Sequence, residues 1–167
     1  VQLALSRIFV FAYVWAMGGN LVHGCHEDFD EFAREQLGSV ANFPGAATVF
    51  DYFVDASRTF PHEFRAWTEV VQPFSYRKDV PYFQMLVPTN DTVRFAYLLE
   101  ACLDVGRSVL LTGVTGVGKS VIVVDALEGL RARKGVVPFT INFSAQTQSV
   151  DTQYLIESKL EKKRKTK

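Results

Sequence analysis

The residues Gly113, Val114, Thr115, Gly116, Val117, Gly118, Lys119 and Ser120 carry the side chains and the spacing that hold a chain of phosphates. A glycine, four residues and then Gly-Lys-Ser fills every fixed position of the phosphate-loop pattern. Gly113, Gly116 and Gly118 let the backbone turn where a Cβ would clash. Such a turn aims successive N–H groups at one point and makes an anion nest. A helix expected to begin near Gly118 adds the positive end of its dipole. Lys119 supplies a mobile charge for the β- and γ-phosphates of a nucleoside triphosphate. Ser120 offers a hydroxyl to Mg²⁺, which keeps most of its waters and takes few protein ligands, so Ser120 is the expected metal ligand. ATP or ADP with Mg²⁺ is the ligand this set of residues calls for. A plain glycine turn between a strand and a helix would need neither the lysine nor the serine.

Binding is not hydrolysis. Hydrolysis needs an acidic residue at the end of a later strand to organise Mg²⁺ and water. Asp104 and Asp125 fall on expected helices beside the loop, so no catalytic residue is assigned in the chain, and that half of the chemistry is expected beyond Lys167. Ser57 and Cys102 have no adjacent histidine and acid to activate them, so acyl transfer has no support. His23, Cys25, His26, Glu27 and Asp28 are metal-ligand types at a spacing that matches no zinc pattern, and they read as a polar turn between two helices. His62 reads as a loop residue, and Trp15 and Trp67 as packing residues. Ser144, Gln146 and Thr147 follow an expected strand at its C-terminal end, the edge that faces the ligand crevice of an open α/β sheet. An approach to the phosphates and capping of the next helix are equally open for them.

Composition sets the frame around these residues. With 48% hydrophobic and 22% charged residues the chain is that of a folded globular protein. The formal charge is zero, but six of the 18 basic residues lie in residues 159–167, leaving an acidic body with a basic tail. That tail reads as a solvated helix end, and neither a nucleic-acid nor a membrane partner is expected. Cys25 and Cys102 are far apart and make no disulfide framework, which points to a reducing compartment. Residues 8–17 form an unbroken apolar run, but ten residues are too few to span a bilayer, so a buried helix is expected. The chain begins with Val1 rather than Met, and reads as a piece of a longer polypeptide.

Three zones must position the loop. Residues 1–38 read helical: one helix apolar on nearly every side and therefore buried, a stop or kink at Gly18-Gly19-Asn20, and a second helix over 29–37. The second helix presents Phe29, Phe32, Ala33 and Leu37 on one face, with Gly38 as its C-terminal cap. Residues 39–86 are broken by Pro44, Pro61, Pro73 and Pro81 and read as a connector packed through its aromatics, with short strands over 49–54 and 64–70. Residues 87–167 open with a helix over 91–104, capped by Thr89 or Asn90. A strand over 108–112, the loop, a helix over 120–133, a strand over 136–143 and a helix over 151–163 follow. This order starts an α/β domain with a parallel sheet.

With these blocks in hand the chain resembles dynein heavy chains, most closely the axonemal type. The resemblance rests on residues 106–121 (GRSVLLTGVTGVGKSV), 87–94 (VPTNDTVR), 140–147 (TINFSAQT) and 156–165 (IESKLEKKRK), which look like the third AAA+ module of the motor ring. Residues 8–21 (IFVFAYVWAMGGNL) resemble the helical small subdomain that closes the second module. The resemblance implies an incomplete three-layer P-loop (AAA+) α/β domain preceded by an α-helical subdomain. It implies a minus-end-directed microtubule motor of six linked modules, whose main hydrolysis site lies in the first and whose third holds a regulatory nucleotide. It places Val87, Pro88 and Thr89 beside the adenine. The partners it implies are the neighbouring AAA+ modules and, through other parts of the parent, intermediate and light chains and microtubules. The location it implies is the cytoplasm and cytoskeleton, in a ciliary or flagellar axoneme. The rival readings are a stand-alone P-loop enzyme such as a small kinase, whose acceptor lid and acidic motif are missing, and a structural ring segment with a silent loop. An intact Lys119 and Ser120 weigh against the silent loop.

Overall fold

The computed structural model describes residues 2–55, 62–76, 78 and 85–160. Ser57, Pro61, Pro81 and the basic tail beyond Leu160 lie outside the described residues. The chain divides into two compact units, Val1–Ala126 and Leu127–Lys167.

In the first unit, helix α1 (Gln2–Met17) ends at a 3₁₀ turn, Gly18–Asn20, where the glycine pair predicted a stop. Gly18 is there for closeness: a Cβ on it would lie 2.5 Å from the Phe29 ring and 2.8 Å from Phe50. Helix α1 is not buried all round, as its sequence predicted. Ala4, Arg7, Val10 and Val14 form one buried stripe at helical spacing, while Leu5 and Phe9 are 62% and 64% exposed. With apolar residues on both faces, hydrophobicity alone does not choose which face packs. The segment Gln2–Asn20 is long and apolar enough to cross a membrane by length and composition, yet Val10 and Val14 are core residues here. Arg7 is also held in the fold, donating from Nη1 to the His62 carbonyl at 2.9 Å.

Helix α2 (His26–Ala41) runs past Gly38, which is not its cap. Asn42 takes the left-handed conformation instead, with φ 52°, and its N–H donates to Gly38 O at 2.8 Å. Asparagine tolerates that conformation, so the helix continues through the glycine to the next residue able to close it. Phe32 proves to be 47% exposed; Ala33 and Ala41 are the buried positions, with Phe29 and Leu37 partly covered against them.

The expected strand over 49–54 is a 3₁₀ turn, Val49–Asp51, followed by strand β1 (Tyr52–Val54). The expected strand over 64–70 is β2 (Phe64–Ala66) followed by a second 3₁₀ turn, Trp67–Glu69. The strands pair antiparallel, Tyr52 opposite Ala66 and Val54 opposite Phe64. Asp51 fixes the first turn, accepting from Thr48 N–H at 3.0 Å and from the Thr48 hydroxyl at 2.7 Å. Asp30 Oδ1 accepts the Val49 N–H at 2.6 Å and ties the turn to α2. Arg34 crosses from α2 to the carbonyls of Gly45 and Ala47. Val10, Val14, Ala33, Ala41, Val49, Phe50, Tyr52, Val54 and Phe64 share one core, so the segment read as a connector is packed into the same body as α1 and α2.

Helix α3 (Asn90–Asp104) starts one residue earlier than expected and takes Thr89 as its cap, with Asn90, the other expected candidate, inside the helix. Thr89 Oγ1 accepts the Thr92 N–H at 3.2 Å, and Thr92 Oγ1 accepts the Thr89 N–H at 2.8 Å. Phe95 and Tyr97 bring α3 onto the helical body. Phe95 meets Trp15 edge-on at 6.0 Å, and Tyr97 meets Trp67 at 5.4 Å and Phe11 at 6.0 Å. Burial, with the Asp55 carboxylate as a smaller cause, raises the Tyr97 hydroxyl above its ordinary pKa.

Helix α4 (Lys119–Lys134) buries Ile122, Ala126 and Leu130, four residues apart, and ends in Arg131, Arg133 and Lys134, which suit the negative end of its dipole. Helix α5 (Ser149–Lys159) starts two residues earlier than expected, and Asp151 accepts the Gln148 N–H at 3.1 Å. The strands expected over 108–112 and 136–143 are not formed: among the described residues, β1 and β2 make the only sheet. The physical reason is that a strand of a parallel sheet is an apolar run with a neighbour on each side. These two runs have no ladder partner among the described residues, and Leu110 and Val137 are 86% and 79% exposed.

Candidate nucleotide-binding site

The glycines of the loop over 113–120 are set by backbone conformation and not by the predicted Cβ clash: a Cβ on Gly116 or Gly118 would meet nothing within 4 Å. Gly116 and Gly118 sit at φ +88° and +83°, where a side chain would be strained. Beyond them the chain enters α4 at Lys119. The Ile122 N–H is bonded to Gly118 O at 3.0 Å, so the amides before it are the helix's unpaired N-terminal donors, a natural anion site.

Lys119 folds over the loop. Its Nζ donates to Gly113 O at 3.0 Å and to Val114 O at 2.6 Å. An ammonium with three donors can exchange neutral carbonyl acceptors for phosphate oxygens, and the charge-assisted contacts are the stronger. Thr115 and Ser120 are exposed, and Val114 and Val117 are 74% and 55% exposed, so the loop's outer surface is open to a ligand. This donor set suits a polyphosphate: backbone N–H groups, one ammonium, and a hydroxyl at Ser120 for a hydrated Mg²⁺. No acid stands in the loop itself.

Thr89, placed beside adenine by the resemblance, has its hydroxyl engaged in capping α3; Val87 is 54% exposed and Pro88 half-buried. None of residues 87–89 hydrogen-bonds to residues 113–120 among the described residues. In the second unit Thr147 turns back on Ser144: its Oγ1 accepts the Ser144 N–H at 2.8 Å, and its own N–H donates to Ser144 O at 3.1 Å. These bonds favour the turn-closing role over a free ligand hydroxyl. Thr147→Ala is accordingly expected to speed hydrogen exchange at Ser144 several-fold, by loss of about 1 kcal/mol of local hydrogen bonding. Thr147→Ser is expected to leave it unchanged; equal exchange in both variants and wild type would overturn the turn-closing role.

Among the described residues no group of three or more His, Cys, Asp and Glu is arranged to hold a metal. His23 and His26 meet edge to face at 5.3 Å, and His26 leans on Phe50 at 4.8 Å. They line a cleft of about 530 Å³ in the first unit, with Trp15, Asp51 and Arg94. Sequence reasoning does not single out Arg94. Its Nη2 lies 2.6 Å from Asp91 and its Nη1 3.8 Å from Asp51, and its guanidinium covers the rings of Trp15 and Phe95. The Asp91-x-x-Arg94 spacing on a helix is the readable half of that signal.

Comparison with known proteins gives the same frame. Residues 74–167 match the family described as "P-loop containing dynein motor region", and residues 1–69 match "Dynein heavy chain AAA lid domain". The chain is 46% identical over 165 residues to "Dynein axonemal heavy chain 6" of Homo sapiens, covering 96% of this chain and 4% of that protein. It is 40% identical over 158 residues to "Dynein-1-beta heavy chain, flagellar inner arm I1 complex" of Chlamydomonas reinhardtii, covering 94% and 3%. It is 35% identical over 158 residues to "Dynein beta chain, ciliary" of Tripneustes gratilla, covering 93% and 3%. The chain thus spans 3–4% of the length of these relatives. A phosphate-loop segment that follows a lid-type helical body, matched across its length by heavy chains, makes this chain a member of the dynein heavy chain family.

Proposed function

We propose that residues 113–120 bind ATP or ADP with Mg²⁺ as a regulatory nucleotide site of an axonemal dynein heavy chain. The observation that carries this reading is the loop itself: two left-handed glycines, open helix-end amides, and Lys119 held across the mouth by two backbone carbonyls. Ser120 would be the Mg²⁺ ligand, and Mg²⁺ would neutralise phosphate charge there. Val87, Pro88 and Thr89 would border the base. We read residues from 87 onward as the start of the third AAA+ module of a motor ring, and the helical body before it as the small subdomain of the second. The exposed apolar runs over 108–112 and 136–143 support a parallel sheet and three-layer domain completed by further strands of the parent chain. The neighbouring modules are then its immediate partners, and microtubules and the other dynein chains are reached through the rest of the parent. Names of the relatives support an axonemal location in cilia or flagella.

The test is photolabelling of the intact heavy chain with an azido-adenine ATP. Label is expected in a peptide containing Val87-Pro88-Thr89, suppressed by excess unlabelled ATP. A heavy chain that labels elsewhere while this peptide stays clean would leave a silent structural segment as the better reading.

A further inference from the structure

We propose that Arg94 is a positioning residue that conveys the nucleotide state of the loop module to the helical body preceding it. The inference rests on the reading that a nucleotide borders Val87-Pro88-Thr89, and it goes further by naming the side chain that passes the effect on.

The geometry is specific. Thr89 caps α3, so any shift of the 87–89 segment moves the first turn of that helix. Asp91 lies in that turn, and Arg94 Nη2 holds it at 2.6 Å. The opposite arm, Nη1, faces Asp51 Oδ1 at 3.8 Å, across a boundary between segments far apart in sequence. Asp51 is not a loose surface carboxylate. Its other oxygen is held by the Thr48 N–H and hydroxyl, and that turn is anchored to α2 by Asp30 and the Val49 N–H. The guanidinium plane lies 5.7 Å from the Trp15 ring at the end of α1 and 5.2 Å from Phe95 on its own helix. One rigid, planar cation therefore touches α1, the 49–51 turn and the first turn of α3.

The aromatic contacts of Phe95 and Tyr97 hold α3 against the body, but ring packing varies softly with small rotations. A guanidinium's hydrogen bonds are directional: Arg94 bonds Asp91 at 2.6 Å and faces Asp51 at 3.8 Å, so a small rotation of α3 would close the Asp51 gap at the expense of Asp91, or widen it. Its Nε is buried and bonded to none of the described residues, so the arms toward Asp91 and Asp51 carry its polar contacts. Exchanging the Asp91 contact for one to Asp51 would supply the second arrangement that coupling between sites requires.

Hydrogen–deuterium exchange on the intact heavy chain, with and without ATP, tests the proposal. In wild type, ATP is expected to slow exchange in peptides covering 113–122 and also in peptides covering 15–30 and 46–54. In Arg94→Gln the ATP-dependent slowing at 113–122 is expected to persist, while that at 15–30 and 46–54 is lost. Arg94→Lys, which keeps the charge, is expected to restore part of it. A merely structural arginine would raise exchange at 15–30 equally with and without ATP and leave the difference intact, which would overturn the proposal. Slowing at 113–122 with none at 15–30 in wild type would overturn it too. No slowing at 113–122 in wild type would instead remove the nucleotide reading on which it stands.

Discussion

Lys119→Ala is expected to weaken ATP binding at this loop roughly 10- to 150-fold, the equivalent of about 1.5–3 kcal/mol for one charge-assisted hydrogen bond. The variant is expected to fold. Lys119 donates only to the carbonyls of Gly113 and Val114, both in the exposed loop, so water can replace it when it is removed. The positive-φ Gly116 and Gly118 and the amides at the start of α4 do not depend on the lysine, so residual affinity is expected from the helix-end amides. Titrating azido-ATP labelling of the 87–89 peptide in the intact heavy chain reads the affinity at this module alone. Lys119→Arg is expected to lose affinity as well, because a planar fork cannot follow the path of a compact ammonium through the loop. Unchanged affinity in a folded Lys119→Ala heavy chain would remove the role assigned to the lysine.

That loop is legible in the sequence because its chemistry is written in residue identities. Glycines at fixed offsets, then lysine and serine, make the pattern that motivates the proposed nucleotide ligand, and Gly113, Gly116 and Gly118 adopt the positive φ that glycine permits. The Thr89 cap is legible for the same reason, since a cap is a local bond between neighbours. What stays hidden is whatever depends on distant partners. The outward face of α1 is as apolar as its inward face, so only packing against α2 and β1 selects Val10 and Val14. The helix passes Gly38 because Asn42 can close it, a choice between two adequate residues. The apolar runs over 108–112 and 136–143 have the composition of strands, but a strand exists only in a ladder, and no partner for them is among the described residues. Arg94 can be paired with Asp91 from spacing, yet its second partner, Asp51, belongs to a 3₁₀ turn whose sequence reads as a strand.

Trp67→Ala is expected to cost about 3–5 kcal/mol, the usual range for deleting a large buried aromatic side chain. The side chain is 1% exposed, stacked on Phe53 at 4.3 Å and set against Phe11 and Tyr97, so it joins α1, β1 and α3. Its Nε1 donates to Phe50 O at 3.1 Å, and that carbonyl belongs to the 3₁₀ turn carrying Asp51. Truncation leaves a cavity and a buried carbonyl without its donor, two losses at one place. Against a typical domain stability of about 5–15 kcal/mol the change is large, and it falls where α3 meets the helical body. Hydrogen exchange in the intact heavy chain is the suitable measure, since a chain of many domains does not unfold in two states. Amides of Tyr52–Val54 are expected to lose most of their protection in Trp67→Ala. Trp67→Phe keeps a ring on Phe53 but loses the bond to Phe50, and is expected to fall between wild type and alanine. Protection in Trp67→Ala within about 1 kcal/mol of wild type would show that the surrounding aromatics close the space, and that Trp67 is not the residue joining the three elements.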